Sequence, residues 1–95
     1  MQRPYRHTMA TVWIPPLMRE LTGGLERVTV PGEKVRELVD ALDARYPGIK
    51  ARLVEDDALR RGIVLTIDGV ANRQGLRAKV EPDSEVHFVP AIGGG

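Results

Sequence analysis

One amphipathic helix among several short strand-like segments is the pattern that most limits the folds open to this chain of 95 residues. After Pro31-Gly32-Glu33, apolar residues recur at intervals of three and four on a single stripe, while charged residues take the other faces. The stripe consists of Val35, Leu38, Val39, Leu42 and Tyr46. Pro47-Gly48 then predicts that the helix ends near Tyr46. A helix with one apolar face must bury that face, so we expect a sheet against it.

Alternating apolar and polar residues predict the strands of that sheet. In chain order, the predicted strands are 11–14, 26–30, 63–67, 70–71 and 85–89. Turn sequences at Thr22-Gly23-Gly24 and Asp68-Gly69 favour two hairpins. The segment 49–61 is ambiguous. Ile49, Leu53 and Leu59 are compatible with a short helical turn, but the acidic run after Val54 favours a loop, which is the interpretation adopted. The order of elements predicts an α+β fold with a mixed sheet, one main helix on one face, and the other face uncovered.

The alternation also predicts which side chains face the helix. The residues expected on the helix side of the first and last strands are Val12, Ile14, Val86 and Phe88. The residues expected on the uncovered side are Trp13, Pro15, His87 and Val89. An exposed tryptophan and valine close to the C-terminus favour a contact patch for another protein. The alternative is a tryptophan folded against its own loops.

Composition excludes several classes of function. Fourteen Lys and Arg residues oppose thirteen Asp and Glu residues, giving a formal charge of +1. The basic residues are spread along the chain, which argues against nucleic-acid binding. No apolar run approaches the roughly 18 residues that span a bilayer, and the N-terminus lacks the apolar stretch of a signal peptide. We therefore expect a soluble, cytoplasmic protein that does not bind membranes.

The chain offers little from which to build a conventional active site. It contains no cysteine, which excludes disulfides, thiolate nucleophiles and cysteine-ligated metals. His7 and His87 are far apart in sequence and have no carboxylate at ligand spacing. The acidic run Glu55-Asp56-Asp57 is interpreted as a solvated loop. We therefore expect neither a metal site nor a catalytic side chain.

The C-terminus is the most unusual feature of the chain. The last predicted strand leads into Ala91, Ile92, Gly93, Gly94 and Gly95. Because glycine has no Cβ, such a tail can extend through a narrow channel and place its carboxylate where a side chain would clash. We interpret that carboxylate as the reactive group; the alternative is a frayed end. The predicted organisation is a disordered extension over 1–8, one folded domain over 9–90 and a flexible glycine tail over 91–95.

The element order and several motifs resemble the ThiS/MoaD family of ubiquitin-like sulfur carriers. The motifs are Arg19-Glu20-Leu21-Thr22-Gly23-Gly24, Arg45-Tyr46-Pro47-Gly48, Asp83-Ser84-Glu85-Val86 and Phe88-Val89-Pro90-Ala91-Ile92-Gly93-Gly94-Gly95. The resemblance covers nearly all of residues 10–95. The Ile14-Pro15 start and the Pro90-Ala91-Ile92-Gly93 ending look most like the bacterial carriers of cysteine biosynthesis and related pathways. The resemblance implies the β-grasp fold, which the element order also permits.

The resemblance implies that the chemistry takes place at the terminal glycine. In the family, a separate E1-like enzyme uses ATP and magnesium to form an acyl-adenylate, and sulfur then displaces AMP to leave a thiocarboxylate. That sulfur is donated to an accepting enzyme in cofactor or amino-acid biosynthesis. The protein is then a carrier and not an enzyme, with no bound cofactor, and we expect it to be a monomer when free.

The resemblance also assigns roles to individual residues. Gly94 and Gly95 match the terminal diglycine, with Gly95 as the adenylated and sulfur-carrying residue, and Gly93 stands where many members have alanine. The residues expected to contact the activating or accepting enzyme are Trp13, Pro15, Arg19, His87 and Val89.

Three other functions remain open at this level. A ubiquitin-like modifier uses the same adenylated glycine, which a lysine amine attacks to form an isopeptide bond. A small subunit of the molybdopterin synthase type inserts its tail into a catalytic partner. A plain interaction module has an inert tail. Fold alone does not separate these functions, so the argument depends on the tail.

Overall fold

The computed structural model describes residues 9–90. The predicted N-terminal extension, 1–8, and the predicted glycine tail, 91–95, lie outside the described residues. The strands are β1 Met9–Trp13, β2 Arg27–Pro31, β3 Val54–Glu55, β4 Ala58–Leu59, β5 Ile63–Ile67, β6 Val70–Asn72 and β7 Glu85–Pro90. The helices are α1 Val35–Arg45 and α2 Ile49–Leu53, with 3₁₀ helices at Pro16–Thr22 and Gly75–Arg77.

Five of the strands form one mixed sheet in the order β2-β1-β7-β5-β6. The first strand lies inside the sheet, antiparallel to β2 and parallel to β7. The last strand also pairs with β5, which forms an antiparallel hairpin with β6. The predicted mixed sheet and its five strands are confirmed, with boundaries that shift by one or two residues.

The core lies between α1 and one face of this sheet. All but Tyr46 of the predicted helical stripe are buried, and Tyr46 is half-buried against the same core. The sheet residues predicted to face the helix are at most 2% exposed: Val12, Ile14, Val86 and Phe88. Burial of alternate residues specifies the register of each strand pair, because a slip by one residue would turn that strand's buried side chains to water.

The prediction of a loop over 49–61 is wrong. The segment forms α2 and then a small antiparallel hairpin of β3 and β4. The carboxylate of Asp43 accepts hydrogen bonds from the backbone N–H groups of Gly48 and Lys50, at 3.1 Å each, and so caps the start of α2. Asp56 and Asp57 form the hairpin turn with φ angles of 55° and 62°, a left-handed conformation that aspartate tolerates. The acidic run is therefore a tight turn.

A second covering segment follows β6. Leu76, Ala78 and Val80 are buried beside the start of α1, although their neighbours in sequence are polar. Backbone hydrogen bonds fix this segment to the helix: Val35 N–H donates to the Ala78 carbonyl at 2.9 Å, and Val80 N–H donates to the Glu33 carbonyl at 3.0 Å. The polar stretch thus closes one end of the core.

Gly32, between β2 and α1, provides a test of this packing. Its φ is +151°, and a Cβ there would lie 2.9 Å from Leu38 Cδ2 and 3.1 Å from the Leu38 backbone nitrogen. Gly62 has a φ of +84° with no neighbouring atom within 4 Å of a built Cβ. We expect Gly32→Ala to lower the free energy of unfolding by about 2–4 kcal/mol, from overpacking added to backbone strain. Gly62→Ala should cost only about 1 kcal/mol, from strain alone.

Urea unfolding of the two variants measures the difference. Equal losses would show that the space around Gly32 relaxes and that its close approach to Leu38 does not limit the sequence.

Candidate functional site: the open sheet face and the tail exit

The last strand carries the chain out of the sheet at a defined place. Its final residue, Pro90, pairs with Ile63 at the start of β5. Because β7 runs parallel to β1, the same end of the sheet also holds the end of β1 and the segment after it. The five residues after Pro90 can reach at most about 17 Å. The predicted tail residues, Ala91 to Gly95, lie outside the described residues, and their roles stay predictions.

A row of stacked side chains crosses the face of the sheet opposite α1. The Trp13 and His87 rings lie 5.2 Å apart between centroids and are 6° from parallel. On the other side, the Arg27 guanidinium carbon is 5.3 Å from the Trp13 ring centroid. The three residues are neighbours in register on β2, β1 and β7. The indole Nε1 donates a hydrogen bond to a Glu85 carboxylate oxygen at 3.0 Å. Trp13 therefore lies on the open face, as predicted, and not against its own loops.

Two exposed valines extend this row toward the tail exit. Val89 is 45% exposed and pairs with Val64, which is 43% exposed. Directly opposed residues share one sheet face, and so do His87 and Val89, two residues apart on β7. We call the set Trp13, His87, Val64 and Val89 the open-face patch. Val64 was missed at the level of sequence, although the alternation of β5 places it opposite the face of buried Leu65.

Pro15 is not part of the open-face patch, so the prediction that it faces outward is wrong. It is buried. The alternation of β1 ends at Trp13. Pro15 immediately precedes the first 3₁₀ helix, and its carbonyl accepts a hydrogen bond from Met18 N–H at 2.8 Å. A proline pair cannot continue a hydrogen-bonded strand, so the two-residue period does not extend to this position.

Arg19 occupies a different place from the open-face patch. It is half-buried, and its Nε donates a hydrogen bond to the Ile14 carbonyl at 3.0 Å. This bond holds the 3₁₀ helix against the end of β1, near the tail exit. A role for Arg19 in pairing with an enzyme remains a prediction.

The connection between β1 and β2 adds apolar surface at this end of the sheet. Leu17, in the first 3₁₀ helix, is 82% exposed, and Leu25, just after the turn at Gly23 (φ +69°), is 47% exposed. Leucines at such exposure on a loop favour contact with another molecule more than a role in the core. They were not singled out from the sequence, since leucine near a turn is equally compatible with a buried anchor.

The described residues supply surfaces more than reactive groups. Within residues 9–90, no group of three or more histidine and acidic side chains is arranged to hold a metal ion. In the same part of the chain, no helix combines the length and apolar character needed to cross a membrane. His87 and Glu85 face the open side, but both are already engaged with Trp13. The arrangement is suited to docking another protein beside the tail exit.

Paired variants test the assignment of the two sheet faces. We expect Trp13→Ala to lower the free energy of unfolding by about 1 kcal/mol, the value of one aromatic stack. Phe88→Ala, on the opposite face, should cost about 3–5 kcal/mol, because it leaves a cavity in the core. Thermal and urea unfolding measure both. A larger loss for Trp13→Ala than for Phe88→Ala would reverse the assignment.

Known proteins resemble this chain in sequence. The sequence profile of the ThiS family matches residues 12–95. A sulfur carrier protein from Mycobacterium tuberculosis, CysO, is 31% identical over 90 residues, which cover 90% of this chain and 97% of the relative.

Solved structures resemble it in fold. One chain in the crystal structure of the Amycolatopsis orientalis BexX/CysO complex is 38% identical, with a TM-score of 0.84, over 90% of this chain and 99% of that one. The crystal structure of Mycobacterium tuberculosis CysO aligns with a TM-score of 0.80 at 27% identity, over 87% of this chain and 99% of that one. The predicted ubiquitin-like β-grasp fold is confirmed.

Proposed function

The chain belongs to the ThiS family, and from this premise we propose that it is a sulfur carrier protein whose sulfur is held at the carboxyl group of Gly95. The observation that carries the proposal is that the family match runs to residue 95, so it includes the terminal glycines. The similarity to relatives named as sulfur carriers over 90% of the chain supports the same role. The protein is then acted on by enzymes and is not itself a catalyst.

Activation at Gly95 would follow from the weak reactivity of a carboxylate. In the proposed sequence, a carboxylate oxygen of Gly95 attacks the α-phosphorus of ATP, pyrophosphate leaves, and an acyl-adenylate forms. Hydrosulfide then attacks the acyl carbon, AMP leaves, and loss of the sulfur-bound proton leaves a thiocarboxylate. ATP and magnesium belong to an E1-like activating enzyme, where the metal stabilises phosphate charge. This chain supplies only the carboxyl group of Gly95.

Delivery of the tail is the contribution of the described residues. The tail starts from β7, a strand held on both sides by β1 and β5. The open-face patch begins one residue before Pro90, so an enzyme that docks there lies within reach of the tail. We propose that Trp13, His87 and Val89 contact the activating enzyme, with Trp13 as the main anchor because buried aromatic side chains dominate binding energy. Arg19, anchored at Ile14, is proposed to contact the same enzyme.

A sulfur-accepting biosynthetic enzyme completes the proposal. The tail residues Ala91, Ile92, Gly93 and Gly94 would pass through its entry channel, since small side chains permit close approach of backbone to an active site. The resemblance to CysO proteins favours an acceptor that builds cysteine or a related sulfur-containing metabolite. The solved BexX/CysO complex is a precedent for a relative that assembles with another protein.

The central experiment is conversion by an activating enzyme. We expect intact-mass spectrometry to detect the exchange of one oxygen for sulfur after incubation with a cognate E1-like enzyme, ATP, magnesium and a sulfur source. Omission of ATP is the control. An unchanged mass, under conditions in which a known carrier of the ThiS family is converted, would overturn the proposal.

A matched pair of variants in the same assay tests the docking surface. Trp13→Ala should slow conversion at limiting enzyme by about tenfold or more, because loss of a hot-spot side chain costs about 2 kcal/mol. Val70→Ala is the control, since Val70 is 68% exposed but lies at the other end of the sheet, beside the Asp68-Gly69 turn. Equal rates for both variants would place the docking surface elsewhere.

Removal of Gly95 alone separates the chemistry from stability. The buried core lies within residues 10–88, so the melting temperature should not change. Thiocarboxylate formation should be abolished, because the carboxylate retracts by about 3.3 Å and a misplacement of about 1 Å can cost on the order of a hundredfold in rate.

The shortened chain still ends in Gly93-Gly94, a diglycine. Retained conversion, measured by intact mass, would therefore show that the enzyme recognises a terminal diglycine in more than one register. Gly95 would then not be the only residue able to carry the sulfur.

A further inference from the structure

A groove of about 650 Å³ lies on the side of the molecule formed by β5, β6, the β3–β4 hairpin and the second 3₁₀ helix. The buried or half-buried part of its apolar lining consists of Leu59, Ile63, Leu65 and Leu76. Arginine side chains surround this apolar base: Arg36, Arg73 and Arg77. The open-face patch and the groove share Val64 but are otherwise built from different residues.

The groove carries positive charge that residues 9–90 do not neutralise. Three arginines line it against one acidic residue, Asp57. Asp57 is bonded to both terminal nitrogens of Arg36, whose guanidinium lowers the pKa of that carboxyl below its usual value and keeps it charged. Among residues 9–90, the ion pairs involve neither Arg73 nor Arg77. An acidic ligand would therefore find two uncommitted guanidinium groups beside an apolar base.

The groove also borders a free strand edge. Among the strands that the structure describes, β6 is the last of the sheet on this side. In its hairpin with β5, Ile67 pairs with Val70 across a two-residue turn, and Leu65 pairs with Asn72. Hydrogen-bonded pairs alternate with non-bonded pairs in an antiparallel ladder, so the N–H and C=O of Ala71 point away from β5. Ala71 lines the groove, which offers backbone bonds to an added strand.

We propose that this groove binds an extended segment of a partner protein in which carboxylate side chains alternate with aliphatic ones. The segment would lie along β6, bury its aliphatic side chains on Leu59 and Leu76, and pair its carboxylates with Arg73 and Arg77. Strand addition at a free edge supplies affinity through the main chain and specificity through side-chain pockets. A small anion alone could not use the apolar base, and exposed guanidinium groups bind it weakly.

The groove lies close to the tail exit. Its β5 end is at Ile63, which pairs with Pro90 at the tail exit. The strand β6 is two strand spacings from β7, or about 10 Å. A partner held in the groove would therefore reach the Ile63 end of β5, near the tail exit at Pro90, without covering Trp13 or His87. The proposal does not depend on the chemistry at Gly95.

A titration followed by amide NMR tests the proposal. The probe is the blocked hexapeptide acetyl-Val-Asp-Val-Asp-Val-Asp-amide, added to the ¹⁵N-labelled full chain. We expect shifts confined to Leu59 and to residues 71–77. The same peptide with asparagine in place of aspartate should bind roughly tenfold more weakly, from about threefold for each of two exposed ion pairs. The chain without Gly95 should bind the aspartate peptide unchanged, which separates this test from that of the sulfur chemistry.

Variants assign the charge contacts. The double variant Arg73→Gln, Arg77→Gln should bind the aspartate peptide roughly tenfold more weakly and no longer distinguish it from the asparagine peptide. Arg61→Gln is the control, since Arg61 is exposed and does not line the groove. Unchanged shifts outside the groove show that the double variant is folded.

Four outcomes would overturn the proposal. They are no shift with millimolar peptide, shifts centred on Trp13 and His87, equal effects of Arg61→Gln and the double variant, and inorganic phosphate binding at the same amides as tightly as the peptide. The last result would make the groove a small-anion site.

Discussion

The parallel pairing of the first strand with the last is the interaction on which the rest of this structure depends. Thr11, Val12 and Trp13 on β1 lie opposite Glu85, Val86 and His87 on β7. A parallel pair requires a long connection, and here every other element of the fold lies within it. Two further backbone hydrogen bonds extend the pairing. The Met9 carbonyl accepts one from Asp83 N–H at 2.8 Å, and Thr11 N–H donates one to the Ser84 carbonyl at 2.9 Å. Closing contacts of such high sequence separation costs loop entropy, so the core packed against α1 must supply most of the compensating free energy.

That same pairing separates the sheet into a face buried against the helix and an open face. Val12 and Val86 are fully buried against the helix side, whereas their neighbours Trp13 and His87 stack on the open side. The indole is held by ring contacts and by the Glu85 carboxylate, and so its position is fixed before any partner arrives. Side chains that are already ordered lose little conformational entropy on binding, which favours affinity.

The sequence was sufficient for the regular parts of the fold and insufficient for the short ones. The two-residue period found β1, β2, β5 and β7, and the helical period found α1, because each element is long enough to show its repeat. The loop prediction for 49–61 was wrong because these elements are too short to show a period: α2 has five residues, and β3 and β4 have two each. The predicted outward orientation of Pro15 was wrong because the alternation of β1 was continued past the end of that strand. The groove could not be foreseen, as its residues come together only through the fold.

In the proposed function, residues 9–90 act through position, and the place of β7 explains how. The tail leaves from a strand bonded on both sides, so its point of origin is as rigid as the sheet itself. At that end, the open-face patch lies on the sheet face opposite α1, while the groove lined by Arg36, Arg73 and Arg77 lies at the sheet edge beyond β5. In the proposed function, two enzymes would handle one tail in turn, and each would need contacts at its base that the other does not exclude. Surfaces that meet only at Val64 would allow a handover in which the second partner begins to bind before the first has left.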